Sequence, residues 1–235
     1  IPQLQASFED RKQLGKQDHA VIKELGLKFR GANEWPLFRS YRPGFFPWHL
    51  EEEEARFLTC ALEQCAEVSE RSRDEPDWII GHFDEKKCLV RVPQQGETLT
   101  WEDQFLHVPP PANKEILIPF STQALAELKR LIGGPAEVQL DFFMMPSPVQ
   151  DEKEARPYFP YMLLMVEARQ GLILGTELLS PESGLSSMWA EVPMHVVSML
   201  LGIRCRPKRI SMYSGELLSI LQPIASQTGI KLKLS

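Results

Sequence analysis

Arg204, Arg206, Lys208 and Arg209 place four cations within six residues. Side chains of that type, that close together, contact phosphate, so the run is a nucleic-acid-binding candidate. The competing reading is a solvated link between a helix and a strand. Trp35-Pro36-Leu37-Phe38-Arg39-Ser40-Tyr41-Arg42-Pro43-Gly44-Phe45-Phe46-Pro47-Trp48 interleaves aromatics with Pro and Arg. Such rings stack on bases or on other rings. Alternatively Phe45, Phe46 and Trp48 staple the entry of the next helix into the core.

Other chemistry-bearing residues are spaced for nothing sharper. Glu51 to Glu54 are consecutive, and consecutive helical residues point in different directions. They suit the positive end of a helix dipole better than a metal. Cys60, Cys65, Cys88 and Cys205 form no Cys-x-x-Cys pair, and read as small buried thiols in a reducing, cytoplasmic compartment. His19, His49, His82, His107 and His195 have no metal-ligand spacing. There is no Walker loop, dinucleotide glycine signature or Ser-His-Asp spacing. Neither a cofactor nor a metal is therefore expected.

At 235 residues the chain fits one large domain or two modest ones. Its 43% apolar and 25% charged content is that of a globular protein. No apolar run approaches the roughly 20 residues that cross a bilayer, so no membrane partner is expected. No signal peptide is visible, although the chain starts at Ile1 and could be trimmed. The net charge of −6 argues against a generic nucleic-acid binder. Residues 1–135 hold 17 basic and 22 acidic side chains, whereas residues 136–235 hold 9 and 10.

The elements that must position these residues can be read in order. Residues 1–18 are polar and suggest an irregular start. Ala20 to Gly26 suggests a short helix, and Phe38 and Tyr41 a strand that turns at Pro43-Gly44. A helix begins near Leu50, with Leu58, Ala61, Leu62 and Cys65 at helical spacing. Ser69 to Asp77 looks like a charged exit loop. Trp78 to Phe83 and Cys88 to Val92 form a strand pair, and Thr98 to Trp101 and Phe105 to Val108 continue the β pattern. Pro109-Pro110-Pro111 is a linker candidate. Ile116 to Ile118 is a strand, followed by a helix capped by Ser121, patterned by Leu125, Leu128, Leu131 and Ile132, and ended by Gly133-Gly134.

The last hundred residues form one unit. Strands are predicted over 138–145, 161–167 and 172–179, the latter two joined by an Arg169-Gln170-Gly171 turn. A helix follows with Val192, Val196, Met199, Leu200 and Ile203 on one face, Pro193 in its first turn and Gly202 at its end. Lys208 to Met212 is a short strand. Ser214 caps a second helix lined by Leu217, Leu218, Leu221 and Ile224, which Pro223 should kink and Gly229 should stop. Ile230, Leu232 and Leu234 then alternate with Lys231 and Lys233 as a half-buried strand. These boundaries give an N-terminal α+β domain over 1–110, a connecting strand and helix over 111–135, and a mixed five-stranded sheet with helices over 136–235.

The order β-β-β-α-β-α-β resembles the RNase H-like fold. Leu164 to Gly175 looks like the central hairpin of integrase and transposase cores. Pro207 to Ile210, Ser214-Gly215 and Gly229 to Leu232 resemble the strand-helix-strand that follows. The resemblance implies acidic side chains that hold two metal ions for phosphoryl transfer. Asp141 matches the family's first acid. Tyr213 stands where the second belongs, in Met212-Tyr213-Ser214-Gly215, and the chain ends before the helix that carries the third. Phe38 to Gly44, Pro47-Trp48 and the acidic helix also resemble a family of uncharacterised bacterial proteins, whose second domain resembles Arg156 to Leu234 here.

These readings lead to a non-enzymatic binding or interaction module on an RNase H-like scaffold without its acids. Its partner is a protein, a second copy of the chain, or nucleic acid. The alternatives are a divergent metal-dependent nuclease that adds Glu167 or Glu177 to Asp141, and a structural homo-oligomer.

Overall fold

The structure, a computed structural model, describes residues 2–74, 87–94, 100–107, 109, 121–132 and 134–235. The strands expected over 78–83 and 116–118 lie outside the described residues, as does most of the Pro109-Pro111 linker. The fold is mixed α and β, and its contacts separate two compact units. One comprises Leu4–Ser40 and His49–Asn113; the other comprises Ile1–Gln3, Tyr41–Trp48 and Lys114–Ser235.

The first unit contains α1 (Lys16–Glu24), α2 (Glu52–Asp74) and two hairpin-sized sheets. β1 (Gln3–Glu9) pairs with β2 (Trp35–Tyr41), so the polar start is a strand rather than irregular. Its residues alternate in type, but Ala6 and Phe8 are exposed while Gln5, Ser7 and Glu9 are half-buried, the reverse of an apolar-in strand. β3 (Cys88–Gln94) runs antiparallel to β4 (Thr100–Leu106). Helix α2 continues to Asp74, into the stretch expected to be an exit loop. Its charges have partners there: Arg71 Nη1 donates to Asp103 at 2.7 Å, and Arg91 of β3 bridges Glu67 and Asp103 at 2.6 and 2.7 Å.

The second unit carries the main core. Its sheet has the order β7-β6-β5-β8-β9, from β5 (Glu137–Met144), β6 (Tyr161–Glu167), β7 (Ile173–Leu179), β8 (Arg209–Met212) and β9 (Lys231–Leu234). β6 runs antiparallel to both β5 and β7, whereas β8 runs parallel to β5 and to β9. Val138, Leu140 and Phe142 alternate onto one face and are buried with Leu163 and Met165 opposite them. That face packs on α3 (Thr122–Arg130), α4 (Leu185–Gly202) and α5 (Gly215–Thr228) through Leu128, Val192, Val196, Leu200, Leu217 and Leu221.

Three local expectations change. Pro193 lies within α4, not in its first turn, because Met188 and Val192 extend the same buried stripe toward the N-terminus. The helix containing Pro223 runs unbroken from its Ser214 cap, whose Oγ accepts from Leu217 N at 3.1 Å, to Gly229 in the left-handed conformation. Helix α3 stops at Arg130, leaving Ile132 95% exposed instead of on the apolar face.

The aromatic tract departs furthest from its reading. Phe45 and Phe46, expected to staple the following helix, have Tyr158 and Phe159 as ring partners, at 6.5 and 6.2 Å. Phe46 N donates to Pro157 O, Phe159 N donates to Gly44 O, and Arg156 Nε donates to Phe46 O. The segment is tied to a strand-like stretch more than a hundred residues away, which no local pattern can announce. Of the four free cysteines, only Cys205 is buried, and burial raises its thiol pKa; Cys65 and Cys88 are exposed.

Candidate functional site

The two ends of the sheet in the second unit carry different chemistry. At the C-terminal ends of β5 and β8, Asp141 shares a small cleft of about 160 Å³ with Gln139, Leu164, Ser211 and Tyr213. Asp141 Oδ1 accepts the N–H of Phe142 at 2.9 Å, and the Tyr213 ring is 71% exposed. The acids that could join it point elsewhere. Asp141 is opposite Leu164, while Glu167 lies three residues along the same strand, about 10 Å away. Glu167 Oε2 instead accepts from Arg169 N and Gln170 N and closes the hairpin turn. Thr176 lies opposite Leu164, so Glu177 points to the other face. Among the described residues no three His, Cys, Asp or Glu side chains converge as metal ligands. One carboxylate with a phenol and a hydroxyl does not fit the two-metal centre that the resemblance implies.

At the other end of the same strands the lining is basic. A cleft of about 610 Å³ opens between the starts of β5, β8 and β9, lined by Glu137, Arg206, Lys208, Arg209, Gly229 and Lys231 among others. The pairing explains the grouping. Glu137 is opposite Arg209 on β8, and Arg209 is opposite Lys231 on β9. Their neighbours Val138, Ile210 and Leu232 face the helices, so the charged row lies on the other side of the sheet.

The four cations of the basic run have separate roles. Arg206 Nη1 donates to Lys129 O at 2.9 Å and to Thr228 O at 3.3 Å. Both carbonyls lie at helix C-terminal ends, where they lack intrahelical partners and carry the negative end of the dipole. Arg206 is thus a brace between two helices. Arg209 pairs with Glu137 at 3.1 Å. The Glu137 carboxyl is held below the usual carboxylate range by the Ser211 hydroxyl, then by Arg209 and Lys233. Lys208 is exposed in the cleft, and Arg204, at φ 51°, does not line it. Lys231 is the cleft cation that the sequence reading passed over. Its alternation with Leu232 was legible, but its neighbour across the sheet was not.

The first unit holds a second cluster that sequence reasoning missed. Arg39 clasps Asp18 through two hydrogen bonds of 2.8 and 2.6 Å, and Gly15 N donates to the same carboxylate at 2.7 Å. His49 Nδ1 lies 3.6 Å from it. Burial would raise the Asp18 pKa, but the Arg39 and Gly15 hydrogen bonds hold it below the usual value. Burial lowers that of His49, against the pull of Asp18 and with a further push from Arg39. Asp18 and Arg39 are 21 residues apart with no motif between them.

Among the described residues no helix is long and apolar enough to cross a membrane. No curated protein matches the chain. Residues 1–91 match the family model of a domain of unknown function (DUF7309), and residues 124–235 match that of another (DUF6930), so two uncharacterised domains follow one another in this chain.

Proposed function

We propose that the second unit is a non-enzymatic binding module built on an RNase H-like scaffold. The strand order, with the first strand of the unit central and its second antiparallel to its neighbours, supports the scaffold. One family match ends at residue 91 and the other begins at 124, so the second takes in most of α3 together with the five-stranded sheet. The resemblance to uncharacterised bacterial proteins, together with four free thiols, supports a bacterial, cytoplasmic setting.

One observation carries the binding reading: Asp141 is the lone side-chain carboxylate among the residues lining its cleft, with Tyr213 just after the end of β8. Phosphoryl transfer with two metals needs several carboxylates around shared ions. A scaffold with one keeps its shape and loses that chemistry, and shape alone does not fix function. Ligand contact then falls to the sheet's basic end, where Lys208 and Arg209 of the basic run line the cleft and Arg204 does not.

The test is incubation of the full chain with labelled DNA, RNA and hybrid duplexes in Mg²⁺ or Mn²⁺. The expected result is intact substrate with both the parent and Asp141→Asn. Cleavage by the parent that Asp141→Asn abolishes would overturn the reading.

A further inference from the structure

The geometry points to a phosphate-binding site in the cleft at the starts of β5, β8 and β9, with Lys208, Arg209 and Lys231 as its cations. This rests on the reading of the second unit as a binding module, and it puts the ligand at the end of the sheet away from Asp141. The separation is four residues along β5, about 13 Å.

Three observations converge. First, Arg209 and Lys231 are directly opposite on neighbouring strands. Like charges in that position weaken a sheet. Glu137 answers Arg209, but neither Lys208 nor Lys231 has an ion-pair partner among the described residues. An anion between them would relieve the repulsion. Second, the cleft has room: about 610 Å³ takes several phosphate groups, and its lining carries four cations against the one carboxylate of Glu137. Third, the field that would repel an anion is already answered. The helix-end carbonyls of Lys129 and Thr228 accept from Arg206, so the helix ends do not present bare negative charge.

The shared chemistry is a phosphate mono- or diester or anhydride, which an oligonucleotide backbone and a small polyphosphate both offer. The full chain is titrated against a labelled single-stranded 12-mer by fluorescence anisotropy, and against inorganic tripolyphosphate by calorimetry, without divalent metal. Three cations on a single strand predict an affinity that falls about 20-fold between about 50 and 200 mM salt. The paired substitution Lys208→Gln and Lys231→Gln is expected to cost at least about tenfold with whichever probe binds. Arg204→Gln, on the same link but outside the cleft, should leave affinity unchanged. Lys231→Thr, a better strand former, keeps the test valid if the Gln variant folds poorly.

Tight oligonucleotide binding identifies a nucleic-acid backbone. Tripolyphosphate binding alone identifies a small phosphorylated ligand. The site is overturned if neither probe binds, or if the paired substitution weakens binding no more than Arg204→Gln does. Cleavage of the 12-mer on adding Mg²⁺ would instead sink the module reading and leave the cleft standing.

Discussion

Replacing Arg206 with Met separates a brace from a ligand contact. Met keeps an apolar stem of similar reach and removes the guanidinium. The Lys129 and Thr228 carbonyls, now held at 2.9 and 3.3 Å, lose their donor. A hydrogen bond to a charged donor contributes about 1.5–3 kcal/mol when well made. One of these two is long and the other is solvent-exposed, so the pair together falls at the low end, about 2 kcal/mol. For a chain of this length that lowers the melting temperature by about 4–8 °C. The loss should also be local. Hydrogen exchange read on peptides spanning the ends of α3 and α5 should speed up, while peptides from β6 and β7 should not. Arg204→Met, exposed and four residues beyond the last buried residue of α4, should change neither readout by more than about 0.5 kcal/mol. If Arg206→Met keeps full protection at both helix ends yet removes phosphate binding, then Arg206 is a ligand group and the division of labour within the basic run is wrong.

Two further outcomes follow from the same fold. The His49 pKa is depressed in the fold, so the folded state favours the neutral ring; its contribution is complete above the ordinary value of 6.5 and is lost as pH falls below it. Asp18 is also depressed and loses its contribution only at pH below the ordinary 3.8, outside that window. Urea midpoints measured from pH 7 to 5 should therefore decline for the parent and decline less for His49→Gln; equal slopes would remove His49 from the account. Gly44 sits at φ 86°, and a Cβ there would meet the Pro181 ring at 2.7 Å, so Gly44→Ala should cost about 2–4 kcal/mol. Gly175→Ala meets only the flexible end of Met199 at 2.8 Å and should cost less than about 1.5 kcal/mol by thermal melting; the reverse order would refute the packing described around the aromatic tract.

How much of this was legible depends on how far each signal travels along the chain. Ser121, Ser214 and Gly229 mark helix ends through bonds made within three or four residues, and all three do so in the structure. Strands β6, β7 and β8 lie within a residue or so of their predicted limits because two breakers bound each apolar run. Pro193 misled for the opposite reason. Proline favours a first turn when only local geometry counts, but a buried stripe running from Met188 to Leu200 outweighs one missing N–H. The Arg71–Asp103 pair, the Phe46–Phe159 contact and the Asp18–Arg39 clasp each join residues more than twenty positions apart. Nothing in composition or period encodes such pairings.

The basic run shows the same limit at the level of a site. As a sequence it is four equivalent cations, and a phosphate reading assigns them one role. The fold divides them by geometry. Helix ends that arrive at Arg206 from two sides take its donors, the parallel pairing of β5 with β8 gives Arg209 to Glu137, and the left-handed turn at Arg204 carries that residue out of the cleft. Lys208 keeps an uncommitted charge, and β9 supplies the replacement cation by setting Lys231 beside Arg209. The distinction between cations that hold the fold and cations left over for a ligand is therefore a property of strand register, and register in this sheet is fixed by which of Val138, Ile210 and Leu232 must face the helices. A one-residue slip of β9 would bury Lys231 and expose Leu232, so the same apolar pattern that closes the core also decides where positive charge is left facing solvent.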